Sequence, residues 1–202
     1  MSLVDTERAT YEQMWALDAY SDNSPGEKLA AMFDAIVKEM REDASPTRRP
    51  FLSTPTVLDA GCGSAKGALA LDALGYRVTL CDLTDSGVSP EAQWMPFVEV
   101  ALWDDLISKV GTHDFVYCCD VMEHVPPTFA MLVVQRLLDV TRHAVFFNIS
   151  LVQDSFGMWV GKPLHQNVQT FMQWRDQLAT LGEVLEARDC LTSGIFLVAP
   201  KR

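Results

Sequence analysis

The chain has 202 residues, 49% of them hydrophobic, enough to bury one substantial core and too few for two large domains. It carries 16 basic and 27 acidic side chains, a formal net charge of -11, so its surface repels phosphate backbones. The densest basic run, TRRP at Thr47–Pro50, is short, so nucleic acid is a disfavoured substrate.

Tyr11 and Trp15, four residues apart, place a first helix around Asp5–Tyr20. SPGE at Ser24–Glu27 has capping-box spacing, with Pro25 at the first helical position. Behind it Leu29, Met32, Phe33, Ile36, Val37 and Met40 recur with a helical period, so this second helix buries one face. Residues 1–43 therefore read as a helical cover, and residues 44–55, rich in proline, as a linker. The cover is expected to lie over a ligand, with Tyr11, Trp15 and Tyr20 either lining that site or packing as core.

From Thr56 onward strand and helix signals alternate, and residues 56–202 read as one compact unit. Val57 and Leu58 open the first strand, and KGALALDAL is a helix stopped by Gly75. RVTLCD, FVEVALW, DFVYCCD and AVFFNIS follow as strands two to five, with a helix opened by Pro126 and Pro127 between the last two. Phe171, Trp174, Leu178 and Leu181 mark a further helix, with Thr170 and Gln173 at capping-box spacing. EVLEARDC and GIFLVAP close the chain as a hairpin. The alternation predicts a mostly parallel sheet of seven strands with helices on both faces, one strand near an edge running antiparallel.

Cys62, Cys81, Cys118, Cys119 and Cys190 form no CxxC pair and sit in apolar surroundings, so they read as reduced core thiols and not as a zinc site. MSLVDTERAT lacks the basic and apolar blocks of a signal peptide, and no stretch is long enough to span a bilayer. The expectation is a cytoplasmic protein.

The densest functional signal is VLDAGCGSAKG, Val57–Gly67. In a doubly wound sheet ligands lie beyond the carboxyl ends of the strands, and glycines there bring backbone N–H groups close to a ligand. Dinucleotide enzymes also use a glycine loop, so the turn alone decides little. Here Asp59 stands two residues before Gly61, the spacing is G-x-G-x-x-x-G, and Asp82 ends the next strand. Together these residues resemble the class I S-adenosylmethionine-dependent methyltransferases, with their Rossmann-like fold, strand-D-x-G-x-G motif and acid at the end of strand two. The resemblance implies S-adenosylmethionine as cofactor. The loop of Gly61, Cys62 and Gly63 would meet its methionine moiety, Asp82 and Leu83 its ribose and adenine side, and Asp59 would orient the loop or hold the ammonium. For Asp82 the alternative is a solvated strand-end acid. In LWDD, Trp103 and Asp104 fall near the implied adenine pocket, although Trp103 can also fill core. Cys119 and Asp120 would face the methionine end.

CCDVMEHVPP resembles the E-x-x-E-H-V stretch of small-molecule O-methyltransferases, with Asp120, Glu123 and His124 in its chemical positions. Two carboxylates and an imidazole can move protons or bind a divalent cation, although Glu123 can equally cap the next helix and His124 pack against it. VGKPLHQNV puts His165 where those relatives carry a histidine in the substrate loop, so His165 is the leading general-base candidate; its neighbours depart from the family pattern. No metal ligand set is assigned. The stretch FFNISLVQDSFGMWVGKPLH also resembles short, phage-associated methyltransferase-like proteins. There is no D/N-P-P-Y/F/W motif and no Pro-Cys nucleophile, which argues against DNA base methylation. The expected activity is O- or N-methylation of a small acceptor. A cofactor-binding protein without catalysis and a nicotinamide oxidoreductase are the alternatives.

Overall fold

The computed structural model describes residues 2–17, 20, 24–42 and 54–201. Seven strands form one sheet in the order β3-β2-β1-β4-β5-β7-β6. They are β1 (Thr56–Ala60), β2 (Arg77–Asp82), β3 (Phe97–Glu99), β4 (His113–Cys119), β5 (Thr141–Ser150), β6 (Gly182–Asp189) and β7 (Ser193–Pro200). β1 to β5 pair in parallel, while β7 runs antiparallel to both β5 and β6. The antiparallel strand is thus one place in from the edge, which β6 occupies. Strand order reverses between β1 and β4, and that is where an open α/β sheet leaves its ligand crevice.

Alternation along the strands sorts the core onto two faces. Leu58, Val116, Val145 and Phe147 point to one side, where α5 (Ala130–Val140) and α6 (Phe171–Leu181) pack, with Trp174 fully buried. Val57, Phe115, Tyr117 and Phe146 point to the other, against α2 (Pro25–Glu42) and α3 (Lys66–Ala73). Phe33 of α2 meets the rings of Tyr76, Phe115, Tyr117 and Phe146 at 5.3–5.7 Å between centroids. Burying one such ring contributes about 1.5–3 kcal/mol. α2 packs its apolar face into the core while Pro25 and Gly26 at its start border the crevice, and α1 (Leu3–Trp15) borders the crevice through Glu7, Tyr11 and Trp15.

Local chemistry accounts for most boundaries. Gly75 ends α3 at φ +93°, with its N–H on the Asp72 carbonyl. At α6 the Thr170 hydroxyl accepts the Gln173 N–H at 3.2 Å, and Gln173 Oε1 accepts the Thr170 N–H at 2.8 Å. The third strand is shorter than FVEVALW suggested, because only Phe97–Glu99 pair with β2 before the chain turns into the crevice wall. The helix expected from Pro126 begins at Ala130; Pro126 and Pro127 form a turn, closed by the Phe129 N–H on the Pro126 carbonyl. Cys62, Cys81 and Cys118 are buried thiols as expected and Cys119 is half-buried, but Cys190 is exposed beside the β6–β7 turn. No helix among the described residues is long and apolar enough to cross a membrane.

Candidate active site

β1 ends at Ala60, and the loop that follows is tied across to β2 by the Gly61 and Cys62 N–H groups, both on the Cys81 carbonyl. Gly61 has φ +73°, and a Cβ there would stand 2.5 Å from Val121. Gly63 has φ +50°, and a Cβ there would stand 2.7 Å from the Trp15 indole. No L side chain fits either position without strain, so the glycines are required by the backbone conformation and the close neighbours.

The bend places Asp82 in its mouth. Asp82 Oδ2 accepts the Gly63 N–H at 2.9 Å, and Oδ1 accepts its own neighbour Leu83 at 2.6 Å. Asp59 sits beneath the loop, buried, and accepts the Ala68 N–H in the first turn of α3. Burial raises both carboxyls, Asp59 to about 7 with the Asp82 charge adding to it, and Asp82 to about 6 against the pull of its two N–H partners.

Those shifts carry a sign. A carboxyl that binds protons more tightly when folded destabilises the fold as it ionises, so stability falls as pH rises from about 4 to 7. Asp59→Asn is expected to flatten that decline and raise the melting temperature of the ligand-free protein at pH 8. A melting series over pH for both proteins checks it; parallel curves would refute the assignment.

Two adjoining spaces open around the bend. The first, of about 660 Å³, is lined by Asp82, Leu83, Leu102 and Trp103 on one side and by Tyr11, Val121 and His124 on the other. The second, of about 540 Å³, is lined by Asp59, Cys62, Gly63, Tyr117, Cys119 and Asp120. Trp15, Tyr20, Gly61, Gly63 and Asp120 border both. Asp120 holds φ +61°, an unusual conformation for a side chain with a Cβ, directly after β4. Asp104, chosen from sequence for the adenine pocket, is instead exposed and lines neither space. The wall is made by Leu102 and by Trp103, which stacks on Phe129 at 5.2 Å.

Beyond Asp120 the chain makes the turn that carries Glu123 and His124. Glu123 is fully buried: Oε1 accepts the Ser150 N–H at 2.8 Å, and its carbonyl accepts the Asn167 N–H at 2.9 Å. Burial, with the Asp120 carboxylate beside it, pushes its ionisation well up. His124 faces the first space, with burial and His165 lowering it to about 4. His165 borders neither space directly; its ring packs edge-on to His124 at 4.6 Å between centroids. One ligand atom each from Glu123, His124 and His165 falls within 4.8 Å of the others, a grouping able to hold a metal ion.

Several contributors come from far along the chain and were not legible as site residues. From α1, Arg8 Nε donates to the Leu83 carbonyl at 2.9 Å and its guanidinium pairs with Glu99 at 2.7 Å. Glu7, buried in the cavity wall, meets Lys162 at 3.3 Å and Gln166 at 3.2 Å. Asp154 accepts the backbone N–H groups of Gly157, Leu164 and His165 and so shapes the loop bearing His165. The only prior signal was the four-residue spacing of Tyr11 and Trp15 in the first helix.

The sheet order, the glycine bend and the strand-end acid define a class I methyltransferase fold with a Rossmann-like core. Residues 58–144 match a family model described as a methyltransferase domain. Similar solved structures agree in fold. A 1,6-didemethyltoxoflavin N1-methyltransferase from Burkholderia thailandensis, with its substrate and S-adenosylhomocysteine bound, is 18% identical with TM-score 0.67 over 99% of this chain and 88% of its own. An N-methyltransferase from Bradyrhizobium japonicum with S-adenosylhomocysteine is 13% identical with TM-score 0.65, over 96% and 98%. Magnesium protoporphyrin IX methyltransferase from Synechocystis, with S-adenosylmethionine bound, is 15% identical with TM-score 0.61, over 100% and 85%. No curated protein sequence shows significant similarity to the chain.

Proposed function

We propose that the protein transfers the methyl group of S-adenosylmethionine to an oxygen or nitrogen of a small-molecule acceptor, and that it does so in the cytoplasm. The observation that carries this reading is the Asp82 carboxylate 2.9 Å from the Gly63 N–H, at the point where strand order reverses. A carboxylate there offers acceptor oxygens to a vicinal diol. The residues present fit the cofactor.

In this reading Asp82 takes the ribose hydroxyls, Leu83, Leu102 and Trp103 enclose the adenine, and Asp59 holds the loop and faces the ammonium. Cys62, Cys119 and Asp120 surround the methionine end. Bound there, the cofactor supplies an electrophilic methyl group on a sulfonium. His165 takes the proton of the acceptor, Glu123 braces the turn beneath it, and α1 excludes water from above. The crevice wall is acidic and aromatic, with Glu7, Asp82 and Asp120 beside Tyr11, Trp15, Tyr20 and Trp103, which disfavours acceptors bearing phosphate.

Thermal unfolding with S-adenosylhomocysteine is the direct test. At 100 times its dissociation constant the ligand should stabilise the fold by about 2.7 kcal/mol. The absence of any shift at millimolar ligand would remove the reading.

A further inference from the structure

Three rings form a bar across the crevice. Trp15, the last residue of α1, packs edge-on to Tyr20 at 4.8 Å between centroids, and Tyr20 packs edge-on to Phe156 at 5.5 Å. The indole is seated between two glycines. A Cβ on Gly63 would stand 2.7 Å from it, and a Cβ on Gly87, in the loop after β2, would stand 2.5 Å from it. Gly63 is also required by its own φ of +50°, but the Gly87 backbone lies outside the left-handed region. At Gly87 the three nearest atoms that a Cβ would meet all belong to the indole, so the missing side chain makes room for Trp15 and for nothing else.

The position of that seat matters more than its tightness. Trp15 and Tyr20 stand at the junction of the two spaces, beside Gly61, Gly63 and Asp120. A ligand held by Asp82 and Leu83 in the first space and by Cys62 and Cys119 in the second has to cross that junction. The helix that carries the indole is itself lightly held. Its buried Met14 belongs to neither face of the core. Its remaining ties are polar: Arg8 to the Leu83 carbonyl and Glu99, Tyr11 to His124, and Glu7 to Lys162 and Gln166. The Arg8 and Glu99 side chains are 33% and 52% exposed, so that ion pair stabilises little. Segments with few buried apolar contacts open at low cost.

We propose that Trp15 is a gate on the crevice. Seated between Gly63 and Gly87, the indole closes the passage between the two spaces, and the passage opens only when the indole leaves that slot. Gly87 is the counterpart that lets the gate shut. Molecules with the indole seated do not admit the ligand, so the apparent affinity is reduced in proportion to the open fraction. That the ligand is the methyl donor rests on the methyltransferase reading; the seating of Trp15 does not.

Gly87→Ala tests the gate, because Gly87 lines neither space and its added methyl group would collide with the indole. The full-length protein is labelled with fluorotryptophan at its five tryptophans, and Trp15→Phe assigns the Trp15 fluorine resonance. Saturating S-adenosylhomocysteine should move that resonance in the wild type, and Gly87→Ala should displace it with no ligand added. Gly87→Ala should also bind S-adenosylhomocysteine about tenfold more tightly, with faster association in stopped flow, if nine molecules in ten have the indole seated. Trp15→Ala should change affinity in the same direction. A wild-type Trp15 resonance that stays in place at ligand concentrations that raise the melting temperature would overturn the proposal without any variant needing to fold. So would weaker binding by folded Gly87→Ala, which would make the indole a wall that the ligand leans on. The absence of a melting shift in both proteins, with the Gly87→Ala resonance displaced as expected, would instead sink the cofactor reading and leave the seated indole standing.

Discussion

Asp82→Ala is expected to abolish the stabilisation of the protein by S-adenosylhomocysteine while leaving the ligand-free fold as stable or more so at pH 8. Hydrogen bonds to a charged group contribute about 1.5–3 kcal/mol each, so loss of two from the ribose weakens binding by about 10²–10⁴-fold. The second half of the expectation follows from the raised ionisation of Asp82, at about 6, which reports a carboxylate held in an unfavourable, buried position. Removing it relieves that cost, offset by the Gly63 and Leu83 N–H groups it leaves behind. Asp82→Asn keeps one acceptor oxygen and should fall between the two. A full ligand shift in Asp82→Ala, measured by melting or calorimetry, would place the ribose elsewhere. A loss of the shift accompanied by gross unfolding would instead make Asp82 a structural brace.

His165→Gln is expected to slow methyl transfer by about 10²–10⁴-fold, the usual range for removal of a positioned general base, with cofactor affinity nearly unchanged. Glutamine retains a donor for the Val152 carbonyl but offers no basic lone pair to an acceptor proton. The loss should be largest for a hydroxyl acceptor, whose proton is held through most of the reaction, and smaller for an amine already neutral at the assay pH. Single-turnover rates with saturating cofactor separate this from binding. An unaltered rate would move the base away from His165, and the half-exposed loop would then serve only to close the crevice.

Much of the fold was readable because its signals are local. Apolar runs bounded by glycine or acid located β1, β2 and β4 nearly to the residue and the end of β5, which starts three residues before the predicted run, and the Thr170–Gln173 box and Gly75 stop are short-range chemistry. Boundaries slipped where the local signal was ambiguous. VALW continues an apolar strand pattern, yet the chain leaves the sheet at Glu99 because β2 offers no further partner. Two prolines look like a helix start, but here they close a turn ahead of Ala130. The amphipathic period of α2 shows that one face is buried but not against what; the aromatic cluster around Phe33 supplies that partner.

For the site, the sequence alone determined the bend with its two glycines, Asp59 and Asp82, since chain turns and strand-end acids lie within 26 residues of one another from Val57 to Asp82. It also named Asp120, Glu123, His124 and His165 as candidates for the chemistry. Only the tertiary structure decided what each of these faces. It set Asp104 outside and Leu102 inside, buried Glu123 as a brace, and brought Arg8, Glu7 and Tyr11 from α1 onto Leu83, Lys162 and His124. The physical reason is range. Turn geometry and strand ends are governed by neighbours along the chain, whereas the direction of a side chain depends on partners as far as 113 residues away, brought close only when the sheet is covered.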